Sequence, residues 1–158
     1  MDFINKQEKD KNIPRVHKIL AQSYAVYLFA LVLGIICSAI WPIKLLFSNF
    51  LLSTSPFILI FASLLILWSQ KSSKKFGKEE VTKKSFMNGP YRFVRNPTNL
   101  GIFLSFLSFG IIVNSIFIIL FTLISFFISS LYFLKKEEKI LQMKYGEAYL
   151  EYKKTVRF

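Results

Sequence analysis

Two polar stretches hold the residues of this chain that could do chemistry. The first, GPYRFVRNPTNLG, runs from Gly89 to Gly101 and groups a tyrosine, two arginines and two asparagines around two prolines. The second, EEKILQMKYGEAYLEYKKTVRF, runs from Glu137 to Phe158 and opens on adjacent carboxylates. A long apolar run, Leu100 to Leu134, separates them. Polar groups therefore flank a membrane hairpin, which can hold a charged, water-borne ligand against a lipid-borne one. Gly89-Pro90-Tyr91 reads as a turn, because Pro presets one backbone angle and Gly permits unusual ones. Asn96-Pro97 is a second break, since the residue before Pro is driven out of the helical region. Backbone between two such breaks leaves N–H and C=O groups beside the membrane that need partners. A polar ligand can supply them, and so can an ordinary interfacial loop with its arginines on phosphates.

Glu137 and Glu138 point about 100° apart on a helix, so they form no paired acid–base dyad by themselves. One of them could bind an ammonium or position Arg95. An ion pair with Lys135, Lys136 or Lys139 is the alternative. No glycine fingerprint follows a strand, no metal-ligand cluster is visible, and no nucleophile stands with a base. An enzyme built from these parts would work by orientation and electrostatics rather than by covalent catalysis.

The elements that must position these residues are membrane helices. Hydrophobic residues make up 53% of the 158, with 18 Phe, more than a soluble domain of this size usually carries. The formal charge of +12 invites a nucleic-acid reading, but the basic residues flank apolar runs, where they act as topology signals or anionic-lipid contacts. No nucleic-acid partner is expected. Cys37 is the only cysteine and lies in an apolar run, as a buried structural thiol does. His17 is the only histidine and makes no zinc site alone.

Along the chain, residues 1–22 form a polar segment in which Ile13, Val16, Ile19 and Leu20 recur at helical spacing, as in a short surface helix or a solvated leader. Residues 23–68 read as a first transmembrane hairpin, with Ser23 to Ile43 and Phe50 to Trp68 as its spans and Pro56 as the source of a kink or late start. Residues 69–99 form a basic loop carrying the first motif. Residues 100–134 form a second hairpin that turns at Asn114-Ser115, with a short third span and a longer fourth. Residues 135–158 form an amphipathic helix broken near Gly146. All Lys and Arg except Lys44 fall in three regions that four spans place on one side, the cytoplasm by the positive-inside rule. The fold class is thus an all-α integral membrane protein of four transmembrane helices with a C-terminal cytoplasmic helix. The setting it suggests is a bacterial inner membrane with both termini cytoplasmic. The sequence sets no oligomeric state.

On these residues the chain resembles the isoprenylcysteine carboxyl methyltransferase family and the related phospholipid methyltransferases. That family's pattern is met by Gly89-Pro90-Tyr91, Arg95-Asn96-Pro97 and Gly101, then by Glu137-Glu138, Leu141, Tyr145-Gly146, Tyr149, Tyr152 and Val156-Arg157-Phe158. The resemblance covers roughly the last seventy residues and implies a membrane enzyme that uses S-adenosylmethionine. It implies that Tyr91, Asn96, Pro97, Thr98 and Asn99 line the cofactor pocket, with Ser85 and Phe86 approaching it. Glu137 would contact the charged methionine end, and Arg95 would brace the pocket or hold an anionic group, so these two are the catalytic candidates. Three positions depart from the pattern. Asn96 stands for the His of eukaryotic members. Asn99 stands where Tyr is usual, which implies a looser pocket. Phe133 stands where the prenylcysteine enzymes carry a substrate-contacting Arg.

The acceptor implied is lipid-soluble and reached from the membrane lipids, first a lipid-linked or isoprenoid carboxylate, with a phospholipid amine as alternative. A non-catalytic membrane partner protein and an NADPH-dependent membrane reductase are the other readings.

Overall fold

The computed structural model describes residues 16–45, 48–73, 86–87 and 89–156, with the backbone alone for residues 16–18. Helix α1 spans Val16–Ile40 and α2 spans Asn49–Ser73. A 3₁₀ turn at Gly89–Arg92 precedes α3, Pro97–Ile112. Then α4, Ile116–Ile128, passes through a π-helical turn, Ser129–Phe133, directly into α5, Leu134–Tyr145. After Gly146, α6 covers Glu147–Thr155. No strand occurs among the described residues. Among the described residues three helical runs are long and apolar enough to cross a membrane: Ile19–Ile40, Asn49–Ser73 and the continuous Ile116–Tyr145. The shorter apolar α3 completes an all-α integral membrane protein.

Some boundaries differ from the sequence reading. The helical spacing at Val16, Ile19 and Leu20 belongs to the first turns of α1, which runs without a break into the span; residues 1–15 lie outside the described residues. Pro56 does not delay α2, which already starts at Asn49. Proline removes the N–H that would bond the Leu52 carbonyl. The Ser55 hydroxyl donates to that carbonyl instead, at 2.9 Å, so the helix continues through the proline.

The bundle is packed by small and polar residues, with large apolar ones outside. Phe50, Phe57, Phe61, Leu64 and Leu67 are exposed, whereas Ser55, Ala62, Ser69, Ser108 and Ser125 are buried. Lipid is as apolar as leucine, so helices gain by close backbone approach and hydrogen bonds rather than by hiding large side chains. α2 packs on α3, α1 on α4, and α3 on α4, so the first two helices flank the second pair. Gly101 sets the α2–α3 approach. A Cβ there would lie 2.6 Å from Ile66 Cγ1 and 3.1 Å from the Ala62 carbonyl oxygen. Gly101→Ala is therefore expected to lower stability by about 1–3 kcal/mol, the usual range for overpacking, read as a lower melting temperature in detergent. An unchanged melting temperature would show that α2 yields freely.

The chain closes its two ends differently. At one end Asn114, with φ 54°, turns α3 into α4, and its side-chain oxygen accepts from the Leu45 N–H at 3.0 Å. Ser115 caps α4 by accepting from the Ile118 N–H at 3.2 Å and also bonds Ser38. At the other end the start of α1, the end of α2, the 3₁₀ turn, the start of α3 and all of α5 and α6 come together. Both polar motifs lie at this second end.

Candidate functional site

Asn96 is the joint of the site. Pro97 occupies the first helical position of α3, where a missing N–H costs nothing. Asn96 caps that helix, its Oδ1 accepting from the Asn99 N–H at 3.0 Å. The other end of the same amide donates from Nδ2 to Glu137 Oε2 at 2.7 Å. One side chain thus fastens the first motif to the second across 41 residues of chain. A carboxylate drawn out of water needs such donors.

Asn99, buried one turn on, accepts through Oδ1 from Ser129 Oγ at 2.8 Å. Ser129 in turn shares a hydrogen bond of 2.7 Å with Ser23 of α1. These groups line a narrow cleft with about 10 Å³ of free space, roughly what one water needs. Its α1 wall is Ile19, Leu20, Ser23 and Tyr24. Asn96, Asn99, Ser129, Phe133, Leu134 and Glu137 form the rest. Positions eight apart on a straight α-helix diverge by about 80°, and the wider π turn absorbs part of that. Ser129, Phe133 and Glu137 accordingly all reach one cleft.

The remaining motif residues stand behind this lining. Pro97 is fully buried. Thr98 bonds Ser69 at 2.6 Å, and Ser69 also donates to the Tyr91 phenol at 3.1 Å. Burial pushes the Tyr91 phenol up from its ordinary pKa, against the Ser69 hydrogen bond and with help from the Glu137 charge, so it stays a neutral hydroxyl. The Tyr91 carbonyl accepts from the Tyr152 hydroxyl at 2.7 Å. Gly89, at φ 65°, makes the turn that presents it. Burial likewise pushes the Tyr149 and Tyr152 phenols up. Phe86 is buried among Tyr145, Tyr149 and Tyr152, with ring centroids 5.2, 5.5 and 5.3 Å away.

Arg95 does not line the cleft. Its Nη1 lies 2.6 Å from Glu138 Oε1, and Lys153 Nζ lies 2.7 Å from Glu138 Oε2. Of the two expectations for the adjacent acids, positioning Arg95 is met by Glu138, whose ion pairs are with Arg95 and Lys153 rather than with Lys135, Lys136 or Lys139. The break at Gly146 folds α6 back and delivers Lys153 to that face of α5. Adjacent carboxylates thus part as helix geometry requires: Glu137 faces α3 and Glu138 faces α6.

Of the residues expected at a ligand, the structure brings Asn96, Asn99 and Glu137 together on the cleft. Tyr91, Pro97 and Thr98 back it, Arg95 pairs with Glu138 of α5, and Phe86 packs on the tyrosines of α6. Ser85 lies outside the described residues. Asn99, where the family pattern has Tyr, spends its Oδ1 on Ser129. The sequence reading missed Ser129 and the α1 residues. Their one signal was hydroxyls at the ends of apolar runs, which membrane helices also use for plain packing.

Compared with known proteins, residues 50–148 match the family model described as phospholipid methyltransferase. No curated protein and no solved structure matches the chain. The matched residues take in the Gly89–Gly101 motif, the α3–α4 pair, the Asn96–Glu137 junction and most of the second motif. They are well over half of the 158 residues, and on that extent this integral membrane protein belongs to the phospholipid methyltransferase family.

Proposed function

We propose that the protein is an S-adenosylmethionine-dependent methyltransferase acting on a lipid-borne amine. The observation that carries this reading is the Asn96–Glu137 hydrogen bond, which joins the two motif halves at a cleft beside the lipid-facing bundle. The donor set suits the cofactor. A carboxylate oriented by an amide matches an ammonium group, so Glu137 would hold the methionine end, with Asn96 and Asn99 beside it. When bound, S-adenosylmethionine supplies a methyl group on a sulfonium and departs as a neutral thioether once that methyl has gone to the acceptor nitrogen. The chain's own part is to orient both partners and exclude water. The amine gives its proton to bulk water before it enters the cleft, so its lone pair is free to take the methyl.

The charge of the cleft favours an amine over the carboxylate that the sequence put first. Glu137 is the one charged side chain among its described lining residues, and Phe133 occupies the wall where an arginine would pair with an acid. The described lining therefore offers an acidic acceptor no cation to pair with, whereas an amine needs none. Calorimetric titration with S-adenosylmethionine in detergent should give saturable binding. A labelled methyl group should pass to total lipid extract and survive mild base. Label released by base as methanol would mean a carboxyl ester, and absence of both binding and transfer would remove the methyltransferase reading.

A further inference from the structure

Every cleft residue outside α1 lies within the matched residues 50–148, whereas Ile19, Leu20, Ser23 and Tyr24 lie before them. The cleft therefore has one wall shared with the family pattern and one that is not. Among the described lining residues the shared wall carries the only charge, Glu137. The α1 wall is neutral, with Ser23 and Tyr24 as its hydrogen-bonding groups and Ile19 and Leu20 as its apolar ones.

Beneath that wall a polar group is in want of a partner. Tyr27, one turn beyond Ser23 on α1, is 1% exposed. Its hydroxyl lies beside Ser129 and Asn99 but makes no well-formed hydrogen bond. A buried hydroxyl without one is costly. The Ser23–Ser129 bond closes the cleft along the same line. Ser23 and Ser129 thus line the cleft with hydroxyls, and the Tyr27 hydroxyl lies behind them.

We propose that α1 is the wall that reads the acceptor, with Ser23 and Tyr24 as positioning and specificity-determining residues. They orient the amine-bearing head group of a phospholipid by neutral hydrogen bonds, while the acyl chains leave past Leu20, Phe133 and Leu134 into lipid. This assignment rests on the methyltransferase reading above.

The test uses the full chain in lipid nanodiscs containing phosphatidylethanolamine, with label transfer and S-adenosylmethionine titration measured on the same preparations. Ser23→Ala and Tyr24→Phe should each raise the apparent KM for the phospholipid about tenfold, the loss of roughly one hydrogen bond. S-adenosylmethionine affinity should stay within about twofold. Ser23→Thr, which keeps the hydroxyl, should restore the KM and so exclude a general packing defect. A parallel loss of S-adenosylmethionine affinity in both variants would make α1 a cofactor wall and overturn the proposal. An unchanged KM in both would overturn it as well. Wild-type protein that neither binds S-adenosylmethionine nor transfers label would sink the methyltransferase reading, and this assignment with it.

Discussion

Phe86→Ala should destabilise the contact between the first motif and α6 by about 3–5 kcal/mol, the range for truncating a buried aromatic ring. The Phe86 ring is 3% exposed and meets three tyrosine rings, with Val156 in the same cluster. This cluster sits at the polar end of the molecule, so the reference for the lost ring is water and the hydrophobic term counts in full. An exposed ring on the span face, such as Phe57, exchanges only protein for lipid and should matter far less. Truncation would also loosen Tyr152, which donates to the Tyr91 carbonyl. The expected readout is proteolytic cleavage of α6 at a lower temperature, while far-ultraviolet circular dichroism of the membrane helices persists. Identical cleavage profiles for the variant and the wild type would mean that α6 is held by its ion pairs instead.

Replacing Glu137 by glutamine should weaken S-adenosylmethionine binding by about 1.5–3 kcal/mol, the worth of a hydrogen bond to a charged group. That is roughly 10- to 150-fold in Kd. Glutamine keeps a carbonyl oxygen for Asn96 Nδ2, so the junction between the motifs should survive. Glu138→Gln is the matched control. It cuts the pairs with Arg95 and Lys153, whose side chains are 24% and 39% exposed, and pairs of that exposure contribute about 0.2–1 kcal/mol each. The control should therefore shift the melting temperature slightly and leave titration unchanged. Equal, small effects of both substitutions on titration would remove Glu137 from the binding site.

What the sequence made legible was local. The turn at Asn114-Ser115, the break at Gly146 and the divergence of Glu137 from Glu138 all follow from single-residue preferences or from helix geometry. Composition and the spacing of apolar runs were enough for the membrane class. The two motif halves were visible as chemistry, but the Asn96–Glu137 bond was not, because it depends on how the α3–α4 hairpin brings the start of α5 back to the start of α3. Asn96 could be read as a break before Pro97. Its double use, capping with one end of the amide and reaching Glu137 with the other, needs the geometry. The α1 wall was hidden for a different reason. Ser23 and Ser129 look like any serine in a membrane helix, and only their mutual distance gives them a place beside Asn99.

The π turn at Ser129–Phe133 means that the run from Ile116 to Tyr145 holds one residue more than a straight α-helix of the same reach. A related chain lacking one residue there could close the turn to α and still deliver its carboxylate to the same face. The same deletion within α5 would swing the remainder of that helix by about 100° and separate the acid from its asparagine. Gaps in this helix are therefore not equivalent to one another. In such a relative, counting back from Glu137 keeps its meaning as far as Phe133, where the turn ends, but on the far side of the turn the counterpart of Ser125 stands one place away from where counting puts it.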